Sequence, residues 1–342
     1  MTTASRWALA AVMLLAMIGC EREQTNQSGS GSTTAPTTGA AGVEGGGSGT
    51  GKKIVVGYSQ IGAESAWRTA NTESIKSEAE KRGVELRFAD AQQRQENQIK
   101  ALRSFLQQRV DVIMLSPVVE TGWEPVLREI KAANIPVILS DRRVATSDES
   151  LYATFIGSDF VEEGRRAGKW LAEKTGGKAV IAELQGTVGS APANDRKKGF
   201  EEIISKHPGM KIVKSQSGDF TRAGGKQVME AFLKSPEGAS INAVYGHNDD
   251  MALGAIQAIE EAGRKPGTEI VIVSIDGVRE AFEAMVAGKL NCTVECNPLI
   301  GPQLFDAVEA VVAGKTVPKR ITVEEGVFDQ SQAKAALPNR KY

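Results

Sequence analysis

Four polar residues between a strand pattern and a helix pattern form the most chemically informative segment of the chain. Residues 241–246 read as a buried strand, residues 251–259 carry apolar side chains at helical spacing, and residues 247–250 (HNDD) lie between them. In an open parallel α/β sheet, side chains just past the carboxyl end of a strand line the crevice where ligands bind. The segment predicts a ligand site, with the alternative that Asn248 or Asp249 only caps the following helix.

Other polar side chains follow strand patterns in the same way. Carboxylate, amide and guanidinium groups can each hold two neighbouring hydroxyls, and a flat aromatic ring can cover the C–H face of a sugar. The candidates are Asp141, Arg142, Arg196, Asn248 and Asp276, with the aromatic residues Trp67 and Phe220. Each residue alone could equally be a solvated loop residue, a surface helix residue or core filler. Their shared position at strand ends and helix starts favours a sugar ligand.

Alternating strand and helix patterns must position these side chains. Buried-strand patterns that end in polar residues lie at residues 53–60, 110–118, 135–143, 178–186 and 269–277. Helical patterns separate them, at residues 76–82, 95–108, 123–133, 162–174, 196–205 and 222–233. This order predicts an α/β fold of doubly wound parallel sheets with right-handed crossovers. The chain has 342 residues, 41% of them hydrophobic, which is enough for two cores of ordinary domain size.

Composition and motif spacing argue against several other classes of function. The chain has 41 basic and 42 acidic residues, so its formal charge of −1 gives no electrostatic reason for a nucleic-acid partner. No Gly-x-Ser-x-Gly elbow occurs, and neither His207 nor His247 has an evident nucleophile. Cys292 and Cys296 are too far apart along an extended strand for a disulfide, and no histidine is grouped with them. We therefore expect no enzyme activity, no cofactor and no metal site.

The N-terminal residues have the pattern of a bacterial lipoprotein. Arg6 precedes a short apolar run, residues 7–18, which has the size of a signal-peptide core and is too brief to span a bilayer. Small or apolar residues precede Cys20, as in a lipobox, which predicts a signal peptide over residues 1–20 and acylation of this cysteine. An ordinary secretory signal is the alternative. Residues 21–51 are rich in Gly, Ser, Thr and Ala, which predicts a flexible tether.

A glycine-rich sequence in this tether, GGSGTGK at residues 46–52, has the glycine and lysine spacing of a phosphate-binding loop. Such a loop must follow a strand and open a helix, whereas this one precedes the first strand pattern. Lys53 also stands where a Ser or Thr would hold the metal. We therefore expect no nucleotide site here.

From about residue 52 onward, the chain resembles the periplasmic sugar-binding proteins of ABC transporters, in the type I group that includes ribose-binding proteins. HNDDMALGA, at residues 247–255, is typical of the whole group. Three narrower sequences resemble the galactofuranose-binding subfamily: ESAWR at residues 64–68, TGWEPVL at residues 121–127 and SGDFTR at residues 217–222.

The resemblance implies the type I periplasmic binding protein fold, in which two doubly wound α/β lobes are joined by three hinge crossings and close around a ligand. It implies an N-terminal lobe of residues 52–158 and 297–321, and a C-terminal lobe of residues 159–296 and 322–342. A LacI-type repressor shares this core but needs an N-terminal DNA-binding domain, and the predicted tether occupies that place.

The function implied is that of a lipid-anchored, extracytoplasmic substrate-binding protein for an ABC sugar importer. Its ligand would be a monosaccharide, galactofuranose or a related furanose or hexose, bound in the cleft between the lobes. The resemblance implies a monomer that contacts a membrane permease and no nucleic acid. A sugar-sensing receptor for a membrane chemoreceptor or kinase is the alternative, since it would use the same fold and pocket.

The ribose-binding pattern also implies which side chains contact the sugar. The implied contacts are Ser59, Trp67, Arg68, Asp141, Arg142, Arg196, Phe220, Asn248 and Asp276. A further contact near the hinge falls at Glu295 or Cys296, and the resemblance leaves open which of the two faces the cleft.

Overall fold

The computed structural model describes residues 52–342, so the predicted signal peptide, Cys20 and most of the tether lie outside the described residues. The strands of the described part are β1 Val55–Gln60, β2 Glu85–Asp90, β3 Val112–Leu115, β4 Val137–Ser140, β5 Thr154–Gly157, β6 Lys178–Gln185, β7 Gly209–Ser217, β8 Ala243–Gly246, β9 Val271–Asp276, β10 Cys292–Glu295, β11 Arg320–Thr322 and β12 Val327–Asp329. The helices are α1 Ala66–Lys81, α2 Gln95–Gln107, α3 Glu124–Ala132, α4 Phe160–Thr175, α5 Ala191–Ile204, α6 Arg222–Leu233, α7 Asp249–Glu261, α8 Arg279–Val286, α9 Gly301–Val312 and α10 Gln330–Ala336.

These strands form two six-stranded sheets. The first has the order β11-β5-β4-β3-β1-β2, and all of its neighbouring strands are parallel. The second has the order β12-β10-β9-β8-β6-β7 and is parallel except for the edge strand β12, which runs antiparallel to β10. The strand order reverses between β1 and β3 in one sheet and between β6 and β8 in the other, which is where ligands bind in such sheets. The predicted fold class is confirmed.

The chain passes between the two sheets three times. The crossings are residues 158–159 between β5 and α4, residues 296–300 between β10 and α9, and residues 323–326 between β11 and β12. Helix α9 returns to the first sheet's side of the molecule, where it packs against α1. The exact lobe boundaries given above stay a prediction.

Each sheet is buried on both faces by helices, which explains why its central strands are continuous apolar runs. In the first lobe, one face of the sheet packs around Tyr58 and Phe305, and the other around Leu102 and Trp123. In the second lobe, Phe200 of α5 stacks on Tyr245 of β8, with ring centroids 3.9 Å apart. Within residues 52–342, no helix is both long and apolar enough to cross a membrane.

The largest difference from the predicted elements is in α1. The helical pattern begins near residue 76, whereas the helix starts at Ala66. Its first half carries many short polar side chains and has no apolar periodicity, because Trp67 and Arg68 face the cleft between the lobes instead of a lobe core. Ser65 caps the helix by accepting a hydrogen bond from Arg68 N at 3.1 Å.

Candidate ligand-binding site

A cavity of about 290 Å³ lies between the lobes, where strands of both sheets end. Eight of the nine predicted contact residues line it, and all eight are buried: Trp67, Arg68, Asp141, Arg142, Arg196, Phe220, Asn248 and Asp276. Sequence reasoning missed four further lining residues, Glu64, Ser65, Phe160 and Pro192. Glu64 and Ser65 lie in the ESAWR sequence, so that motif could have identified them.

Ser59 is the predicted contact that the structure does not bring to the cavity. The strand β1 continues to Gln60, so Ser59 lies inside the sheet, paired with Ala89 on one side and Leu115 on the other. It is fully buried, and its Oγ has no hydrogen-bond partner. The placement of Ser59 in the ligand site is therefore not supported by the structure.

Of the two residues near the hinge, Glu295 and Cys296, the cysteine is the one that faces the cleft. Cys296 lines the cavity, and its carbonyl oxygen accepts a hydrogen bond from Trp67 Nε1 at 2.6 Å. Glu295 lies on the other side of the chain, where its carboxylate pairs with Arg340 Nη1 at 2.6 Å. Both Cys292 and Cys296 are free and buried.

The first lobe contributes a compact group of charged side chains. Arg68 Nη2 lies 2.8 Å from Asp141 Oδ2, and Arg68 Nε lies 3.1 Å from Glu64 Oε1. Burial alone would lower the pKa of Arg68, but the two carboxylates outweigh it and raise this pKa above its usual value. Burial lowers the pKa of Arg142 to about 10, with Arg68 adding to the effect, so Arg142 stays a cation at neutral pH.

The second lobe holds Arg196 from three sides. Its Nε lies 2.7 Å from Glu163 Oε2, its Nη1 donates to the carbonyl oxygen of His247 at 2.6 Å, and its guanidinium lies 5.2 Å from the centre of the Phe160 ring. Gly164 makes this arrangement possible, because a Cβ atom there would stand 2.2 Å from the carbonyl oxygen of Arg196. Helices α4 and α5 therefore pack backbone to backbone and fix Arg196 at the cavity.

Asn248 has both roles that the sequence left open. It is the N-cap of α7, with Oδ1 accepting from Met251 N at 3.0 Å, and it also lines the cavity. Its Nδ2 donates to the carbonyl oxygen of Phe220 at 3.0 Å. A side-chain amide has two donors and two acceptor positions, so one of each stays available to a ligand. Gly186 gives Phe220 its place, since a Cβ there would meet the phenyl ring at 1.9 Å.

Asp249 and Asp250, the other acidic residues of the first predicted segment, lie beside the cavity. Asp249 accepts hydrogen bonds from Gly277 N at 2.7 Å and Val278 N at 2.9 Å, which fixes the loop after Asp276. Asp250 Oδ2 accepts from Ala66 N at 2.8 Å, a contact between the lobes. Burial raises the pKa of Asp276 well above its usual range, although the neighbouring Arg196 opposes this.

Three cavity residues have backbone conformations that non-glycine residues rarely adopt. The φ angles are +63° at Asp141, +62° at Phe220 and +135° at Asp276. Such conformations cost about 1–3 kcal/mol each and persist where the surrounding structure holds them, often at functional sites. Asp141 and Phe220 follow strands β4 and β7, and Asp276 is the last residue of β9, so the strained backbone lies where each strand ends at the cavity.

The polar groups of the cavity are charge-balanced but incompletely paired. Three arginines and three acidic side chains line it, which suits a neutral ligand better than a charged one. Glu64 Oε2, Arg68 Nη1 and Arg142 Nε are buried and have no hydrogen-bond partner. Buried polar atoms are almost always paired, so these three offer one acceptor and two donors to a ligand with several hydroxyls.

The lobes also touch outside the cavity, at the mouth of the cleft. Glu120 N donates to the carbonyl oxygen of Gly189 at 3.0 Å, and Glu120 Oε2 accepts from Asn194 Nδ2 at 2.6 Å. Arg143 Nη2 lies 2.8 Å from Glu120 Oε1 and donates to Asp195 Oδ1 at 3.1 Å. These contacts, here called the rim contacts, hold the lobes in a closed arrangement.

The described part of the chain contains neither a nucleophile activated by histidine nor a complete set of metal ligands. His247 Nε2 lies 3.3 Å from Glu183 Oε1, and Ser215 Oγ hydrogen-bonds to the carboxylate of Glu183, so the hydroxyl is not activated by the imidazole. One group, Glu163, Cys296 and Glu325, brings three ligand-type atoms within 4.8 Å of one another. Zinc accepts sulfur and carboxylate oxygen ligands, but the Arg196 guanidinium already neutralises Glu163.

Comparison with known proteins assigns this architecture to a family. A profile for the periplasmic binding protein domain matches residues 56–316, more than half of the chain. The chain belongs to the periplasmic binding protein family. The galactofuranose-binding protein YtfQ of Escherichia coli, a member of this class, is 51% identical over 291 residues, which cover 84% of this chain and 92% of that protein. The resemblance predicted from the sequence is confirmed.

Two solved structures are similar to this chain over nearly their whole length. The binding protein of the arabinose ABC transporter from Shewanella sp. ANA-3, bound to α- and β-L-arabinofuranose, is 54% identical with a TM-score of 0.82, covering 84% of this chain and 96% of that one. A Mycobacterium smegmatis protein in complex with β-D-fucofuranose is 59% identical with a TM-score of 0.82, covering 84% and 95%. Because periplasmic binding proteins bind substrates without transforming them, the expectation that the chain is not an enzyme is confirmed.

Proposed function

We propose that this periplasmic binding protein carries a monosaccharide to an ABC importer and encloses it in the cavity between the lobes. The observation that carries the proposal is the set of unpaired polar atoms on Glu64, Arg68 and Arg142 in a charge-balanced cavity. A neutral ligand with hydroxyls around its rim supplies the missing partners. Trp67 and Phe220 supply apolar surfaces for its C–H faces.

The contact residues we propose are the eight predicted side chains at the cavity together with Glu64. They come from both lobes: Trp67, Arg68, Asp141 and Arg142 from the first, Arg196, Phe220, Asn248 and Asp276 from the second. A sugar held between them completes contacts with both lobes at once, which favours the closed state over an open one. An importer that recognises the closed state would then accept only the loaded protein.

We further propose that the ligand is a furanose, with galactofuranose the first choice. The similarity to proteins described as binding galactofuranose, arabinofuranose and fucofuranose supports this choice. A furanose directs its hydroxyls differently from a pyranose, so the wrong ring would leave buried polar groups without partners. Each such group costs about 1–3 kcal/mol.

The N-terminal residues complete the proposal. Acylation of Cys20 would anchor the protein to a membrane, with the lobes outside the cytoplasm. Residues 21–51 would let the lobes move away from the membrane surface. We propose a monomer, because one chain contains both halves of the cleft.

A calorimetric comparison of ring-locked sugars tests the function. We expect the anhydro-galactitol with a five-membered ring to bind at least about tenfold more tightly than the isomer with a six-membered ring. This difference corresponds to the free-energy cost of one buried polar group left without a partner. The two compounds have the same atoms and differ in ring size, so each is the matched control for the other. The protein must first be unfolded and refolded to remove carried-over ligand. A preference for the six-membered ring would overturn the furanose assignment, and no binding of any sugar in a wider panel would overturn the function.

A further inference from the structure

Each of the three crossings between the lobes contributes one residue to a cluster beside the cavity, and one of these residues, Cys296, lines the cavity. Ser158 comes from the first crossing, Cys296 from the second and Glu325 from the third, and Glu163 of α4 lies against them. Ser158 Oγ hydrogen-bonds to Glu325 Oε1 and lies 3.4 Å from Cys296 Sγ. Glu325 Oε1 also accepts from Asn297 N at 3.0 Å. This hinge cluster therefore ties all three crossings together.

One buried carboxylate oxygen of the cluster lacks a hydrogen-bond donor. Glu163 is 1% exposed; its Oε2 pairs with Arg196, whereas its Oε1 has no partner. A second carboxyl group, that of Glu325, lies within 4.8 Å of it. Glu163 is buried and Glu325 is half-buried, so two ionised carboxylates at this separation would repel each other strongly, and one proton on the pair removes the repulsion.

We propose that Glu163 and Glu325 share one proton in the closed protein, and that Glu325 is thereby a positioning residue for Arg196. With the proton on the Glu325 side, Glu163 stays ionised and keeps its ion pair with Arg196, which lines the cavity. When the proton leaves, the two carboxylates repel each other and the hinge cluster loses its closed arrangement. The hinge is in this way linked to ligand affinity through a single proton.

Charged and titratable groups surround the cluster from several elements of both lobes. Those facing it are Arg166 of α4, Arg196 of α5, Arg320 of β11, Asp141 after β4, Asp276 at the end of β9, Cys296 after β10 and Tyr342 at the C-terminus. Burial, with the charge of Glu163 adding to it, raises the pKa of Glu325 to about 9. Burial also raises the pKa of Cys296 well above its usual value, so the thiol keeps its own proton.

Ligand binding is coupled to the hinge cluster because one of its members, Cys296, lines the cavity. When the lobes open, water reaches the floor of the cleft and the pKa of Glu325 falls toward that of a solvated carboxyl. Closure therefore retains a proton that the open form gives up as the pH rises. Sugar affinity should decrease with pH, by at most about tenfold per pH unit, until the pKa of the closed form is reached. This coupling rests on the sugar-binding function proposed above.

An infrared measurement without any sugar tests the shared proton. At about pH 8, free glutamates are ionised, so a protonated carboxylic acid band in the wild-type protein must come from a buried carboxyl with a raised pKa. We expect Glu325→Gln to remove one such band and Cys296→Ser to keep it. A band that is absent from the wild type, or that is unchanged in Glu325→Gln, would overturn the proposal. Because no ligand is needed, this result does not depend on the proposed function.

Calorimetry with the five-membered anhydro-galactitol tests the coupling. In the wild type, affinity should fall by nearly tenfold per pH unit between about pH 6 and about pH 8, and Glu325→Gln should flatten this slope because an amide cannot lose the proton. Cys296→Ser should keep the slope. Equal slopes in the wild type and Glu325→Gln would overturn the positioning role. Saturable Zn²⁺ binding that disappears in Glu325→Gln would instead assign the cluster to a metal. Failure of the sugar to bind at every pH would count against the proposed function and leave the infrared result standing.

Discussion

The guanidinium groups at the cavity are held in place before a ligand arrives. Arg68 lies 4.6 Å from the centre of the Trp67 ring, and Arg142 lies 5.2 Å from that of Phe220. Arg196 has both a carboxylate and a carbonyl partner. A planar guanidinium that is already ordered loses little side-chain entropy when it binds two neighbouring hydroxyls. We therefore expect arginine geometry, and not charge alone, to determine ligand affinity.

Replacing Arg196 by lysine separates these two properties. Arg196→Lys keeps a cation beside Glu163 but removes the paired N–H donors, so we expect binding to weaken by about 1–3 kcal/mol while folding is retained. Calorimetry and thermal unfolding measure the two effects. Lys198→Ala, at an exposed position on the same helix, is the matched control and should leave affinity unchanged. Wild-type affinity in Arg196→Lys would indicate that Arg196 only supports the packing of α5.

Single residues also mark the limit of prediction from the sequence. The positions of Arg196 and Asn248 after strands were enough to place them at the cleft. Ser59 is the predicted contact outside the cavity lining, because it lies within β1 and pairs with neighbouring strands on both sides, which the strand pattern alone does not show. The choice between Glu295 and Cys296 depended on Arg340, a partner distant in sequence.

At the scale of elements, the predicted strand patterns cover β1, β3, β4, β6, β8 and β9 but miss the buried strand β5 and the edge strands β2, β7, β11 and β12. Central strands such as β3 and β8 are buried on both faces, and their apolar runs are visible in the sequence. The edge strands β2, β11 and β12 are only partly buried, so their composition is mixed and they leave no such run. The loop segments that make the rim contacts carry no periodic pattern, because only closure of the lobes brings them together.

The rim contacts predict an effect of a residue that does not line the cavity. Arg143→Ala removes an ion pair that spans the lobes, so the closed state should lose stability and sugar affinity should fall severalfold, about 1 kcal/mol at a partly exposed site. Arg128→Ala is the matched control: its ion pairs with Glu124 and Asp148 lie within one lobe. An equal loss in both variants would mean that the effect is general stability and not closure.

For the whole molecule, the proposed anchor and the lobes should behave as independent parts. Cys20→Ser should release the mature protein from the membrane fraction, because it removes the site of acylation. Sugar affinity should stay unchanged, since residues 21–51 have few apolar side chains to pack on the lobes. Cell fractionation and calorimetry on the released protein measure both. Finding the unaltered protein fully soluble after signal cleavage would contradict the anchor.

The enclosure of the cavity also sets the timing of release. The side chains that would surround a bound sugar, from Trp67 to Cys296, are at most 5% exposed, so a captured molecule has no path to solvent while the lobes stay together. Escape must wait for the lobes to separate, and the dissociation rate of any captured sugar cannot exceed the rate at which its closed complex opens. Release faster than the spontaneous opening of the lobes would therefore require an outside force on the hinge, and a membrane transporter that pulls the lobes apart would then set the rate of delivery.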